Sequence, residues 1–209
     1  MRRKPNLDSR LEKCSLLLVA KPEENRGLWL KKHAFKDLHI ELGCGRGLFT
    51  TESAKTQPDV LFVALEKTAN VLVIAMERAG QEQLNNLFFI NKLADDLVLF
   101  FTSGEVSRIY INFCDPWPSR RHEKRRLTGQ RFLDIYKQLL KAGGEIHFKT
   151  DNPALFEFSL AEFERSGFIL SELSYDLHKC KPVGIMTDYE MRFHENGVPI
   201  LRCVAAKDK

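Results

Sequence analysis

The chain lacks any apolar run near the roughly 18 residues that a helix needs to span a bilayer, so no helical membrane segment is expected. It lacks a C-x-x-C pair: its five cysteines, Cys14, Cys44, Cys114, Cys180 and Cys203, are odd in number and scattered. A zinc knuckle or redox dithiol is thereby disfavoured, and free thiols in a reducing compartment are the simplest expectation. The six histidines, His33, His39, His122, His147, His178 and His194, form no H-x-x-x-H or H-E-x-x-H pair, and no metal is expected. No G-x-S-x-G elbow, internal repeat or low-complexity tract is present. The start Met1-Arg2-Arg3-Lys4-Pro5 has the charge of a signal-peptide n-region, but Leu16 to Ala20 is too short for an h-region, so the cytoplasm is the expected location. Lys+Arg number 32 against Asp+Glu 28, a net +4 with pI about 8.8. That excess permits an acidic partner without arguing for one.

What is present fits one α/β domain over the 209 residues, with about residues 1–15 a candidate flexible basic tail. A chain of this size buries about 70% of its unfolded surface without staples. Short apolar runs at Leu38–Leu42, Val60–Leu65, Leu87–Asn91, Arg108–Phe113 and Glu145–Lys149 read as strands, several apolar enough to be covered on both faces. Helical patterns separate them. Thr68 is placed to N-cap a helix through Val71, Leu72, Ala75, Met76 and Ala79. Phe132, Leu133, Tyr136, Leu139 and Leu140 share a face that Gly143-Gly144 would end. Asn152-Pro153 is a cap with proline in the first turn, opening a helix that continues to Gly167. This alternation predicts a Rossmann-like, mostly parallel sheet. Phe168–Leu177, Glu190–His194 and Ile200–Ala205 read as strands, with Asn196-Gly197 as a hairpin turn, so the sheet is expected to end in an antiparallel pair.

His39-Ile40-Glu41-Leu42-Gly43-Cys44-Gly45-Arg46-Gly47 is a strand entering a glycine turn and then a helix. Glycine lets backbone approach a ligand, and the helix N-terminus adds partial positive charge. A dinucleotide fingerprint would carry Gly or Ala at position 48, where this chain has Leu48, and no hydride-relay residue is evident, so a nicotinamide dehydrogenase is disfavoured. Glu66 closes the second strand 25 residues after Glu41, where a carboxylate can accept both hydroxyls of a ribose. Together these suggest a nucleoside-bearing cofactor. The plain alternative is an ordinary βα turn beside a solvated glutamate.

The fourth strand leads into Cys114-Asp115-Pro116-Trp117-Pro118, a stiff turn at a strand C-terminus, where open α/β sheets bind ligands. Five of the next seven residues, Arg120 to Arg126, are basic. A charge run is usually a solvated face; attached to this turn it reads as a grip on phosphates, with Arg2, Arg3 and Lys4 as candidate additions. Lys149-Thr150-Asp151-Asn152 ends the fifth strand. Thr187-Asp188-Tyr189-Glu190 is a cluster of hydrogen-bonding groups, either a substrate clamp or a loop.

Glu41-Leu42-Gly43-Cys44-Gly45-Arg46-Gly47 resembles the first motif of class I S-adenosylmethionine methyltransferases. Asn112 to Pro118 with His122 to Leu127, His147 to Asn152 and Thr187 to Glu190 resemble the bacterial tRNA (guanine-N7)-methyltransferases over nearly the whole chain. The resemblance implies methyl transfer to N7 of the variable-loop guanine of tRNA. It implies cofactor contacts from Glu41, Gly43, Gly45, Glu66, Asn91, Leu93 and Asp115, and substrate contacts from Asp151, Thr187, Asp188, Tyr189 and Glu190. It implies an RNA contact along Arg121, His122, Glu123, Lys124, Arg125 and Arg126, in a monomer or homodimer. Where the family carries an acidic residue two positions after Asn91, this chain has Leu93, which leaves backbone there to meet the adenine. Where the family follows the Asp-Pro-Trp-Pro turn with lysine, this chain has Ser119, with Arg120 next to it.

Guanine N7 offers a lone pair and no proton, so the chemistry needs no general base. It needs positioning, and a carboxylate near the positive charge that develops on the base. Asp115 is the first candidate and Asp151 the second. Trp117 is either a surface for the base or an anchor for its loop. Two competing readings are a methyltransferase acting on an exocyclic amine, whose turn would place the aromatic after both prolines, and a non-catalytic RNA-binding module on the same fold.

Overall fold

The computed structural model describes residues 6–179 and 184–208; Arg2, Arg3, Lys4 and Cys180 lie outside the described residues. The chain divides into two compact units, Met1–Phe101 and Thr102–Lys209.

The first unit runs α1 (Leu7–Lys13), α2 (Trp29–His33), β1 (Asp37–Leu42), α3 (Leu48–Thr56), β2 (Val60–Leu65), α4 (Ala69–Gln81), β3 (Leu87–Ile90) and α5 (Leu97–Phe100). Its strands are parallel in the order β3-β2-β1, with Asp37 opposite Val60 and Phe62 opposite Leu87. Leu61 through Leu65 are all 2% exposed or less, as expected of a central parallel strand covered on both faces. Leu72, Val73, Ala75, Met76 and Ala79 give α4 its buried face, and Thr68 is its N-cap residue by backbone only, without a side-chain cap bond. The free edge of β3 is covered by the segment after α1: Phe89 N donates to Leu17 O at 2.8 Å and Val19 N to Phe89 O at 2.9 Å. Trp29, fully buried, donates its indole N–H to Phe100 O at 2.9 Å and stacks on Phe101.

The candidate flexible tail is corrected for residues 7–13. They form α1, which buries Leu7 and forks Arg10 onto both carboxylate oxygens of Glu77 at 2.7 and 2.6 Å.

The second unit runs β4 (Val106–Asn112), a 3₁₀ segment (Arg120–Arg125), α6 (Gln130–Leu139), β5 (Leu140–Thr150), α7 (Pro153–Arg165), β6 (Ile169–Ser174), α8 (Asp188–Glu195) and β7 (Leu201–Ala206). The order is β4-β5-β7-β6, parallel in the first pair and antiparallel in the other two. Asn152 caps α7, accepting from Leu155 N at 2.8 Å with Pro153 in the first turn.

Two local expectations are overturned. Gly143-Gly144 does not end α6, which stops at Leu139 and passes directly into β5. The glycines instead absorb a bulge: the β4–β5 register steps from Val106–Leu140 to Arg108–Glu145. Gly143 has φ +67°, and a Cβ at Gly144 would lie 2.9 Å from the Lys141 carbonyl oxygen. Glu190–His194 is not a strand but most of α8, and Asn196-Gly197 terminates that helix rather than turning a hairpin. Thr187 and Glu190 close a reciprocal capping box that starts the helix, a local gain that outweighs β propensity. The antiparallel pair is present as β6 against β7, joined through α8.

Candidate active site

In the first unit the end of β1 turns upward through the glycine loop. Gly43, Gly45 and Gly47 all have positive φ, at +78°, +58° and +75°. Gly43 N and Cys44 N both donate to Leu65 O, at 2.8 and 3.0 Å, pinning the loop to the end of β2. Around Gly43 and Gly45 a Cβ would meet nothing within 4 Å. These two positions thus line an open cradle, and their backbone conformation is what requires glycine. Gly47 differs: a Cβ there would lie 2.6 Å from the Ala75 Cβ, so it sets the close approach of α3 to α4. That third glycine was not among the sequence-derived site residues, although its place in the same loop was the available signal.

Glu66, half-buried, faces this loop. Its Oε2 accepts from Gly45 N at 3.3 Å and its Oε1 from Thr68 N at 2.8 Å. Asn91, directly after β3, fixes it by donating Nδ2–H to Glu66 O at 2.7 Å. Glu41 lies beneath the loop, 2% exposed, and accepts the hydroxyl of Thr50 in the first turn of α3. Leu93 is exposed and precedes a short 3₁₀ turn. Burial, followed by the Glu41 and Glu66 carboxylates, pushes the Cys44 thiol well above its ordinary range, which makes it a packing group rather than a nucleophile. Open glycine positions beside a half-exposed strand-end carboxylate fit the ribose and amino-acid portions of a nucleoside cofactor.

In the second unit β4 delivers the Asp-Pro-Trp-Pro turn. Phe113 and Trp117, both bulky, adopt positive φ of +53° and +42°, a conformation that persists only where surroundings enforce it. Phe113 N donates to Lys149 O at 2.9 Å. Asp115 is exposed on the turn. Burial and the Asp115 charge push the Cys114 thiol up to about 12.

The basic run divides. Arg120, Arg121, Lys124 and Arg125 are exposed, and His122 and Glu123 half-exposed, along the 3₁₀ segment. His122 meets Trp117 edge-on and the Arg125 guanidinium lies 4.8 Å over the Trp117 ring. Arg126, expected as an RNA contact, differs from its neighbours in the run. Its side chain is only 13% exposed. The guanidinium donates Nε–H to Pro116 O and Nη2–H to Trp117 O, both at 3.1 Å, and lies 4.2 Å over Phe158.

The ends of β4 and β5 and the start of α8 bring further residues together. Tyr189, 47% exposed, sits 5.2 Å from Phe113 and 4.5 Å from Phe193, ring to ring. Burial, followed by the Asp151 charge, pushes its phenol up. Glu190, expected among the substrate contacts, is engaged within the protein. It is fully buried, pairs with Lys149 Nζ at 3.1 Å, and closes the cap with Thr187, whose Oγ1 accepts from Glu190 N at 2.9 Å. Lys149 also donates to Ile185 O at 3.1 Å. A lone buried carboxylate is costly and demands such partners. Asp188 is half-exposed and engaged. Among the described residues no three His, Cys, Asp or Glu side chains gather as a metal group, and no helix is long and apolar enough to cross a membrane.

A family model described as "Putative methyltransferase" matches residues 36–203. A tRNA (guanine-N(7)-)-methyltransferase of Bacillus cytotoxicus is 46% identical over 98% of this chain and 95% of its own length. Among solved structures, the 16S rRNA methyltransferase KamB superposes with TM-score 0.66 at 16% identity, covering 88% of this chain and 94% of that one. A 16S rRNA (adenine(1408)-N(1))-methyltransferase from Catenulisporales acidiphilia gives 0.64 at 12% identity, covering 91% and 93%. Those structures establish the class I methyltransferase fold.

Proposed function

Because this chain belongs to the tRNA (guanine-N7)-methyltransferase family, we propose that it methylates N7 of guanine in tRNA, at the variable-loop position 46, as one catalytic domain working in the cytoplasm. The observation that carries the reading is the 46% identity along 98% of the chain.

The donor in this reading is S-adenosylmethionine, which when bound supplies a methyl group on a positively charged sulfur. The glycine cradle and Glu66 are the residues that hold it. Asn91 acts by fixing Glu66, and Glu41 by tying the floor of the loop to α3. The exposed Arg120, Arg121, Lys124 and Arg125 take phosphates, a contact that positions RNA without reading its sequence. Tyr189, with Phe113 behind it, and Asp151 offer an aromatic face and a carboxylate to an unstacked purine. Guanine N7 reacts through its own lone pair and surrenders no proton, so no side chain is assigned as a base. Asp115 is assigned to stabilise the positive charge that the base acquires.

The test is incubation of the protein with unmodified tRNA and labelled donor, followed by nucleoside mass spectrometry. Label on guanine N7 is expected; label on an exocyclic amine would replace this reading with the competing one. Asp115→Asn keeps shape and removes charge. With both ligands saturating, its single-turnover rate is expected to fall roughly 10²–10³-fold, as when one preorganised stabilising group is removed, while tRNA affinity changes little. A near-wild-type rate would move the assignment to Asp151.

A further inference from the structure

We propose that Arg126 is not part of the RNA grip but the positioning residue that fixes the Asp115-Pro116-Trp117-Pro118 turn. This inference rests on the methyltransferase reading for its consequence and on geometry for its substance.

The turn carries an unusual backbone. Pro116 and Pro118 have no N–H to give, and Phe113 and Trp117 both sit at positive φ. Left alone, such backbone relaxes, since each bulky residue in that region costs about 1–3 kcal/mol. The carbonyls of Pro116 and Trp117 are both met by one guanidinium at 3.1 Å. A planar fork with donors on separate nitrogens meets both carbonyls in one fixed geometry. Phe158 closes the other side at 4.2 Å from the guanidinium carbon, and Glu123 lies 3.9 Å from Nη1. Arg126 is therefore held between Phe158 and the turn, with Nε and Nη2 each donating to a backbone carbonyl. Its neighbour Arg125 is exposed and lies over Trp117, so adjacent arginines in one basic run have opposite tasks.

Arg→Lys separates the two roles. A phosphate accepts a lysine as a point charge, whereas a fork onto two carbonyls does not survive the exchange. Arg126→Lys, Arg126→Ala and Arg125→Ala would be compared with the wild type. The readouts are single-turnover rate with tRNA and donor saturating, the salt dependence of tRNA affinity, and tryptophan emission. Trp29 is buried and common to all variants, so emission differences report Trp117.

Both Arg126 variants are expected to lose about 10- to 100-fold in single-turnover rate, the scale of a small misplacement at a reacting centre. Their emission should shift to the red, and the salt slope should stay unchanged. Arg125→Ala should flatten that slope by about 1. The proposal is overturned if Arg126→Lys behaves as wild type while Arg126→Ala flattens the slope. If Arg126→Ala does not fold, Arg126→Lys, which keeps stem and charge, decides alone. A wild type inactive on tRNA would defeat the functional reading instead. The emission shift would still stand or fall by itself.

Discussion

Glu66 does two jobs with one carboxylate. It is placed to receive a ribose, and it already accepts Gly45 N and Thr68 N, so it also ties the glycine loop to the start of α4. Removing it should weaken donor binding by the loss of hydrogen bonds to a charged group, about 1.5–3 kcal/mol or roughly 10- to 150-fold. Calorimetry on folded Glu66→Ala is the measurement, and unchanged affinity would remove Glu66 from the site. The place of this residue was legible in the sequence because the end of a second parallel strand is fixed by a short apolar run. The role of Asn91 was legible only as a name: that its amide serves the Glu66 carbonyl depends on β3 lying beside β2. The distinct task of Arg126 was not legible at all. Five basic residues within seven look alike to composition, and only the approach of Phe158 and two carbonyls singles one out.

Elements were read well where burial on both faces left only one pattern. Val60–Leu65 matches its expected bounds, and the Asn152-Pro153 cap opens α7 as expected. The failure at α8 has a physical cause. Tyr189, Met191 and Phe193 alternate with Glu190, Arg192 and His194, the period of a strand. Here the helix buries a glutamate rather than an apolar stripe, because Lys149 waits beneath it. The capping box in Thr187-x-x-Glu190 was the signal that periodicity masked. Packing between α3 and α4 gives a sharper expectation. Gly47→Ala puts a methyl 2.6 Å from the Ala75 Cβ at φ +75°, combining overpacking, typically about 1–3 kcal/mol, with left-handed strain of about 1–2 kcal/mol. A stability loss of about 2–5 kcal/mol is expected from denaturant melts. Ala75→Gly in the same chain should restore only the overpacking part. Full restoration, or no loss at all, would contradict this account.

Stability of the folded chain as a whole should depend on pH through His147. Burial, reinforced by the Arg108 charge, holds its imidazole down at about 4, against the opposing pull of Glu145. It is therefore neutral near pH 7 and engages Glu145 Oε2 through Nε2 at 2.8 Å. A histidine near 6.5 when unfolded and about 4 when folded takes up its proton more readily in the unfolded chain, so stability falls as pH drops between those values. The loss can reach about 3 kcal/mol. Glu145 acts in the same direction. Burial alone would raise its carboxyl, but His147 and Arg108 hold it below its ordinary value, and that stabilisation too is lost on acidification. His147→Gln keeps a donor for Glu145 and cannot titrate. Its stability should therefore change less than that of the wild type between pH 7.5 and 5 in denaturant melts, and equal changes would exclude His147 as the cause.

The strand order β4-β5-β7-β6 also governs the birth of the protein. β5 and β6 leave the ribosome before β7 but meet only through it, so neither edge finds its partner while residues 175–206 are still being made. At about 5–20 residues per second, that is an interval of a few seconds in which two strand edges stand open in the nascent chain.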